Sequence, residues 1–172
     1  ILLQIVNAAL IIGGQAVSAS MGLSMANMVD PSMGNVPVIA QFFVICSTLI
    51  FLGLGGHVLV ISLLLESFEL LPINSELDLQ GLLKLTIEWS AMMFVGAILI
   101  GLPLMASLLF INIGLGVITR TAPALNIFAV GFPAMILAGI VLLSLSMTSI
   151  GYRIQWLWQE SFEIIGQALG IR

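Results

Sequence analysis

The chain has 172 residues, 60% of them hydrophobic and 7% charged, with a net charge of −4. A soluble domain is about 25% charged, so the twelve charged side chains present exclude a globule that meets water over its whole surface. The four basic residues are scattered, which excludes nucleic acid as a partner because phosphate binding needs clustered Lys and Arg.

The chain starts without Met and inside an apolar run, with no basic segment ahead of it. No signal peptide is visible, and a fragment lacking its natural N-terminus is the expectation. Four runs carry no charge: residues 1–29, 31–65, 89–119 and 121–152. A spanning helix needs roughly 20 apolar residues, so an all-α membrane protein is predicted. Each run exceeds that length and therefore holds a helix plus a connection, or a tilted or broken helix.

Between the first two runs, Pro31 and Pro37 bracket a turn region with Asp30, Gly34 and Asn35. Residues 66–88 are amphipathic, and Ser75 followed by Asp78 has capping-box spacing, so a helix is predicted from near Glu76 into the apolar stretch at Trp89. Pro103 and Pro133 lie inside apolar runs, where proline removes a helix hydrogen bond. In lipid the freed carbonyl must find another partner, which suits helices packed inside an assembly. Residues 153–172 form a C-terminal amphipathic helix, with Ile154, Leu157, Trp158, Phe162, Ile165 and Leu169 on one face. That face suits a membrane surface or a partner. Lys84, Arg120, Arg153 and Arg172 are too few to set a membrane orientation.

Small residues cluster at Gly13, Gly14, Ala16, Ser18, Ala19, Ser20 and Gly22, again at Gly53, Gly55 and Gly56, and again at Gly114 and Gly116. They let helix backbones approach closely where lipid gives no hydrophobic drive. Packing within the chain is one reading, and packing between subunits is the favoured one. Met21, Met25 and Met28 recur at helical spacing, with Met33 beyond. Methionine fills irregular gaps, so these are core filler or a deformable apolar seal. His57 is the single histidine and reads as a hydrogen-bonded packing residue. Cys46, the single cysteine, reads as a small buried hydrophobe and excludes an internal disulfide. Arg120 stands between two apolar runs. It is either a hairpin-tip residue reaching interfacial water or half of a buried ion pair with Glu66, Glu69 or Glu88.

No metalloprotease motif, Gly-x-Ser-x-Gly elbow or phosphate-binding P-loop is present. No catalytic residue, cofactor or metal site is expected. A secondary transporter is a competing class, since broken helices also mark transport sites. It expects polar ligands near the breaks, whereas Leu, Met, Ala, Phe and Gly surround Pro103 and Pro133. A structural membrane scaffold is a third class.

Three stretches carry a resemblance: MGLSMANMVDPSMG at 21–34 followed by PVIAQ at 37–41; GHVLVISLLLESF at 56–68 followed by LP at 71–72; and RTAPALNIFAVGFP at 120–133. They resemble the FliR family of flagellar and type III secretion export-gate proteins, over nearly the whole chain. Ala124 stands where the family often has Gln. The resemblance implies broken helical hairpins stacked into a superhelical gate with FliP-like and FliQ-like subunits. It also implies an FlhB-like export protein, exported polypeptides in transit, membrane lipid, and a place in the bacterial inner membrane at the flagellar basal body. It implies a pore plug at 21–37, with Met21, Met25, Met28, Asp30, Pro31, Met33, Gly34 and Pro37. Assembly contacts fall on Gly55, Gly56, His57, Gly114, Gly116, Arg120, Pro123, Asn126, Gly131 and Pro133.

Overall fold

In lipid the backbone of a spanning segment must satisfy its own polar groups, which leaves helices as the solution for long apolar runs. A computed structural model of the chain describes residues 1–23, 37–70, 79–121 and 127–170, with side chains from 131 onward in the last stretch. Its elements are helices α1 (Leu2–Ser20), α2 (Val38–Gly53), α3 (Gly56–Leu70), α4 (Leu79–Ser90), α5 (Met92–Thr121) and α6 (Ile127–Ala168). No strand occurs among the described residues. Three stretches are long and apolar enough to cross a membrane: Leu2–Ser20, Leu79–Thr121 and Gly131–Ala168. The α2–α3 pair, bent by 66°, is a fourth if it counts as one span. The chain is an all-α membrane protein.

Helix α1 is the hub, touching α2, α4, α5 and α6. Its Val6, Leu10 and Val17 meet Ile39 and Phe43 of α2, Ile100, Leu104 and Leu108 of α5, and Ile150, Ile154 and Leu157 of α6 in one core. Small residues make the close approach possible. A Cβ on Gly14 would lie 2.4 Å from Ala40 Cα, and one on Gly13 would lie 3.1 Å from the Ala97 carbonyl oxygen. Gly96 lies under Ala9 and Leu157 in the same way. Gly13 and Gly14 of the first small-residue cluster therefore pack within this chain, against α5 and α2, whereas the cluster's favoured assignment was to subunit contacts.

Helix ends follow from glycine and proline. Gly22, at φ +80°, donates to the Ala19 carbonyl, and Leu23 N–H donates to the Ser18 carbonyl. This paired closure satisfies carbonyls that the last turn of α1 leaves open. Helix α2 begins just after Pro37, which caps it with φ −57° and ψ 132°. Gly55, at φ +71°, makes the bend between α2 and α3, a conformation that costs a residue with a Cβ about 1–2 kcal/mol.

The predicted helix from Glu76 starts within the described residues at Leu79, and a turn at Ala91 separates α4 from α5. Glu76 and the Ser75–Asp78 capping pair lie outside those residues. Trp89 Nε1 donates to the Leu2 carbonyl at 3.2 Å and ties α4 to the start of α1. The C-terminal stretch is not a separate element, because α6 runs on without a break through Arg153 to Ala168. Its 42 residues reach about 63 Å at 1.5 Å per residue, roughly twice the hydrocarbon thickness. The helix continues there because Ile154, Leu157 and Trp158 are buried in the shared core.

Gly14→Ala should destabilise the fold by about 1–3 kcal/mol, because backbone must move to admit the methyl group. Gly139→Ala should cost less, since its Cβ would meet the Met21 side chain, Cε nearest at 2.4 Å, and a methionine can change rotamer. Thermal unfolding in detergent, compared for the two variants, measures the difference.

Candidate functional site

The sequence points to two candidate regions, the α1–α2 connection and the small-residue faces. In the first, Met21 and Pro37 flank the connection. Met21 is 1% exposed and packs on Gly139 of α6, so it is a core side chain. Pro37 sits at the mouth of α2. Met25, Met28, Asp30, Pro31, Met33 and Gly34 lie outside the described residues. Gly22 packs on the Phe132 ring, with its would-be Cβ 3.1 Å from Phe132 Cε2, so the start of the connection rests against α6.

The second region divides. Gly56 is buried under the Phe51 ring within the chain, while Gly55 has nothing within 4 Å and serves the bend. His57 is exposed at the start of α3. Gly114 and Gly116 are exposed, and a Cβ on either would meet nothing within 4 Å among the described residues. Arg120 is exposed in the last turn of α5, where a cation is favoured by the helix dipole. Glu88 instead pairs with Lys84 at 3.8 Å, and among the described residues that is the sole salt bridge. Gly131 is buried and Pro133 exposed in the first turns of α6. Pro123 and Asn126 lie outside the described residues.

Apolar surface is distributed unevenly around these glycines. On α3, Val58, Ile61, Leu64, Leu65 and Phe68 are exposed, Phe68 to 73%, and Gly56 alone is buried. On the distal part of α5, Leu109, Phe110, Ile113, Val117 and Ile118 are exposed. Such surface is stable only against lipid or another protein. Between α1 and α5 runs an apolar groove of about 490 Å³, lined by Ile12, Gly13, Ala16, Leu102, Met105 and Leu109 among others.

Two interactions had no counterpart in the sequence reading. Trp158 Nε1 donates to Ser47 Oγ at 2.8 Å in the buried centre, beside Phe51, whose ring centroid is 4.7 Å from that of Trp158. An indole at this depth needs an acceptor, which is a signal that Trp158 offered but that names no partner. Arg153 donates to the Leu99 carbonyl on α5. Among the described residues no three His, Cys, Asp or Glu side chains group as metal ligands.

Long apolar helices, a bent helix pair and exposed apolar faces define an all-α membrane protein. Residues 1–161 match the model of the family described as bacterial export proteins, family 1. The chain belongs to that family. It is 36% identical over 169 residues to the flagellar biosynthetic protein FliR of Escherichia coli K12, covering 97% of this chain and 64% of that protein. It is 34% identical to the FliR protein of Pectobacterium carotovorum over 97% of this chain and 64% of that protein. It is 31% identical to that of Aquifex aeolicus over 95% of this chain and 64% of that protein. The chain thus spans just under two thirds of these relatives' length.

Gly114→Leu and Arg120→Gln should not lower the unfolding temperature of the isolated chain, because both sites are exposed and meet no partner among the described residues. Gly14→Leu, measured beside them, should unfold well below both.

Proposed function

We propose that this chain is a subunit of the flagellar export apparatus, acting in the inner membrane at the flagellar basal body. It works with FliP-like and FliQ-like subunits, beside an FlhB-like protein, to form and close the pore through which unfolded flagellar proteins leave the cell. Membership of the bacterial export family and likeness to FliR proteins support the export role. The observation that carries the assembly role is the contrast between its glycines. Gly13, Gly14 and Gly96 are filled by neighbours in the chain, while Gly114 and Gly116 lie open beside exposed Phe110, Ile113 and Val117. A face with small residues flanked by large apolar ones admits another helix closely. The chain does this by helix packing and translocation, with no bond chemistry of its own.

Closure falls to residues 21–37. A proline-bracketed segment cannot continue a spanning helix, and irregular backbone is not tolerated against lipid. Full exposure of its apolar side chains to water is unfavourable, at ~0.8 kcal/mol per methylene. A protein-walled lumen satisfies all three constraints. Met25, Met28 and Met33 would form a soft seal there, and Asp30, Pro31, Gly34 and Pro37 would set the turn. The departure of α1 at Gly22 and the entry to α2 at Pro37 support a connection of that extent.

In cells, Gly114→Leu should lower recovery of the complex on native electrophoresis although the isolated chain is intact. Unchanged recovery would remove the assembly reading. Deleting residues 24–35, or replacing them with a short Gly-Ser linker, should leave assembly largely intact and make resting membranes conduct ions in planar bilayers. A deleted gate that assembles and stays tight would return the methionines to plain packing.

A further inference from the structure

Pro103 lies in the interior of α5. Proline has no N–H, so the carbonyl four residues earlier loses its helical donor. That carbonyl belongs to Leu99. In an apolar medium an unpaired carbonyl is costly, because no water is at hand to replace the bond. Arg153 of α6, 54 positions along the chain, donates from Nη1 to that same Leu99 oxygen. We propose that Arg153 is the replacement donor for the hydrogen bond that Pro103 removes, and that the two residues act as one unit fixing the register of α5 against α6.

The surroundings support a dedicated pairing. The described residues give Arg153 no carboxylate, since their sole salt bridge joins Lys84 and Glu88. Among the described residues, the Leu99 carbonyl is the group that holds the guanidinium. Arginine stays charged and presents fixed, planar donors, and a bond from a charged donor is stronger than a neutral one. Its backbone is held in place by the next residues, because Ile154 and Leu157 are 1% and 2% exposed in the core shared with α1. On α5, which runs through Pro103 as one helix, Ile100 and Leu104 on either side of the proline are buried in the same core. Both ends of the bond are thus anchored independently. Farther along the same two helices lie Gly114, Gly116 and Arg120 on one side and Gly131 and Pro133 on the other. Arg153 is a positioning residue for that distal hairpin. Its part stands on the geometry of this chain and does not depend on which partner the hairpin meets.

The pairing makes Arg153 dispensable when the helix can supply its own donor. The test uses the chain of residues 1–172 purified in detergent, with unfolding followed by the fluorescence of its tryptophans, two of which, Trp156 and Trp158, follow Arg153 within five residues. Arg153→Met should lower the unfolding temperature by roughly 2–4 °C, the shift expected of one lost interaction in a protein of this size. Arg153→Lys, which keeps a cationic donor, should recover part of that loss. Pro103→Ala restores the N–H at this position, so adding Arg153→Met to it should produce no further drop. An equal drop with and without Pro103→Ala would overturn the proposal, since Arg153 would then act by packing or charge alone. No drop from Arg153→Met would overturn it as well. If Arg153→Met by itself yields no folded protein, recovery of the Pro103→Ala/Arg153→Met double variant supports the pairing, and its loss with the single variant rejects it.

Discussion

Gly14 brings the α1 backbone so near α2 that an added Cβ would sit 2.4 Å from Ala40 Cα. On the other flank, Gly13 and Gly96 seat α1 on α5. The rest of the packing depends on this approach. It sets α1 deep enough for Leu10 and Val17 to reach Phe43, Ile100 and Leu104 in one core. It also brings α2 within reach of α6, where Ser47 accepts the Trp158 indole proton. Lipid tails are as apolar as leucine, so contact of this kind gains little from the hydrophobic effect. Its stability comes from close van der Waals packing and buried hydrogen bonds. Wider separation along α1 would lose both.

The packed centre leaves two parts of the molecule bare. Helix α3 leaves α2 at 66° and presents Ile61, Leu65 and Phe68 outward. The distal hairpin of α5 and α6 carries Phe110, Ile113, Leu137 and Val141 outward. Helix α3 buries only Gly56, while the hairpin packs one face on the core through Met135 and Leu143 and leaves the other bare. This division between a packed centre and bare outer faces suits a protein whose apolar surface meets lipid or other helices. The groove between α1 and α5 adds a third apolar surface, close to the seam itself.

Polar groups inside this apolar frame are few, and most have an identified partner. Trp89 reaches the Leu2 carbonyl, Trp158 reaches Ser47, Ser161 donates to the Trp158 carbonyl, and Arg153 reaches Leu99. Three of these four link segments distant in sequence. Each therefore fixes the relative register of two helices as well as satisfying a polar atom. Among buried side-chain atoms of the described residues, Asn7 Oδ1 is left without a partner.

The charge-free runs determined by themselves that the chain is helical and belongs to a membrane, because backbone in lipid has few alternatives. Local chemistry also made one boundary readable, since Pro37 opens α2, while Gly22 and Gly55, read as packing residues, proved to end α1 and to make a bend. The three resembling motifs pointed to the family, which the match over residues 1–161 establishes. Tertiary structure decided which glycines are used inside the chain. Gly14 and Gly114 look alike in sequence, and only the neighbouring helix separates a filled site from an open one. It placed Met21 in the core. It carried α6 past Arg153 as one helix, since Ile154, Leu157 and Trp158, the first half of the face that seemed free for a membrane surface or a partner, are buried in the shared core. It also gave the Leu99 carbonyl its donor. Proline shows in the sequence which bond is missing, but the replacement comes from 54 residues away. Spacing along a chain reports contacts within one helix, and contacts between helices become visible only once the helices are packed.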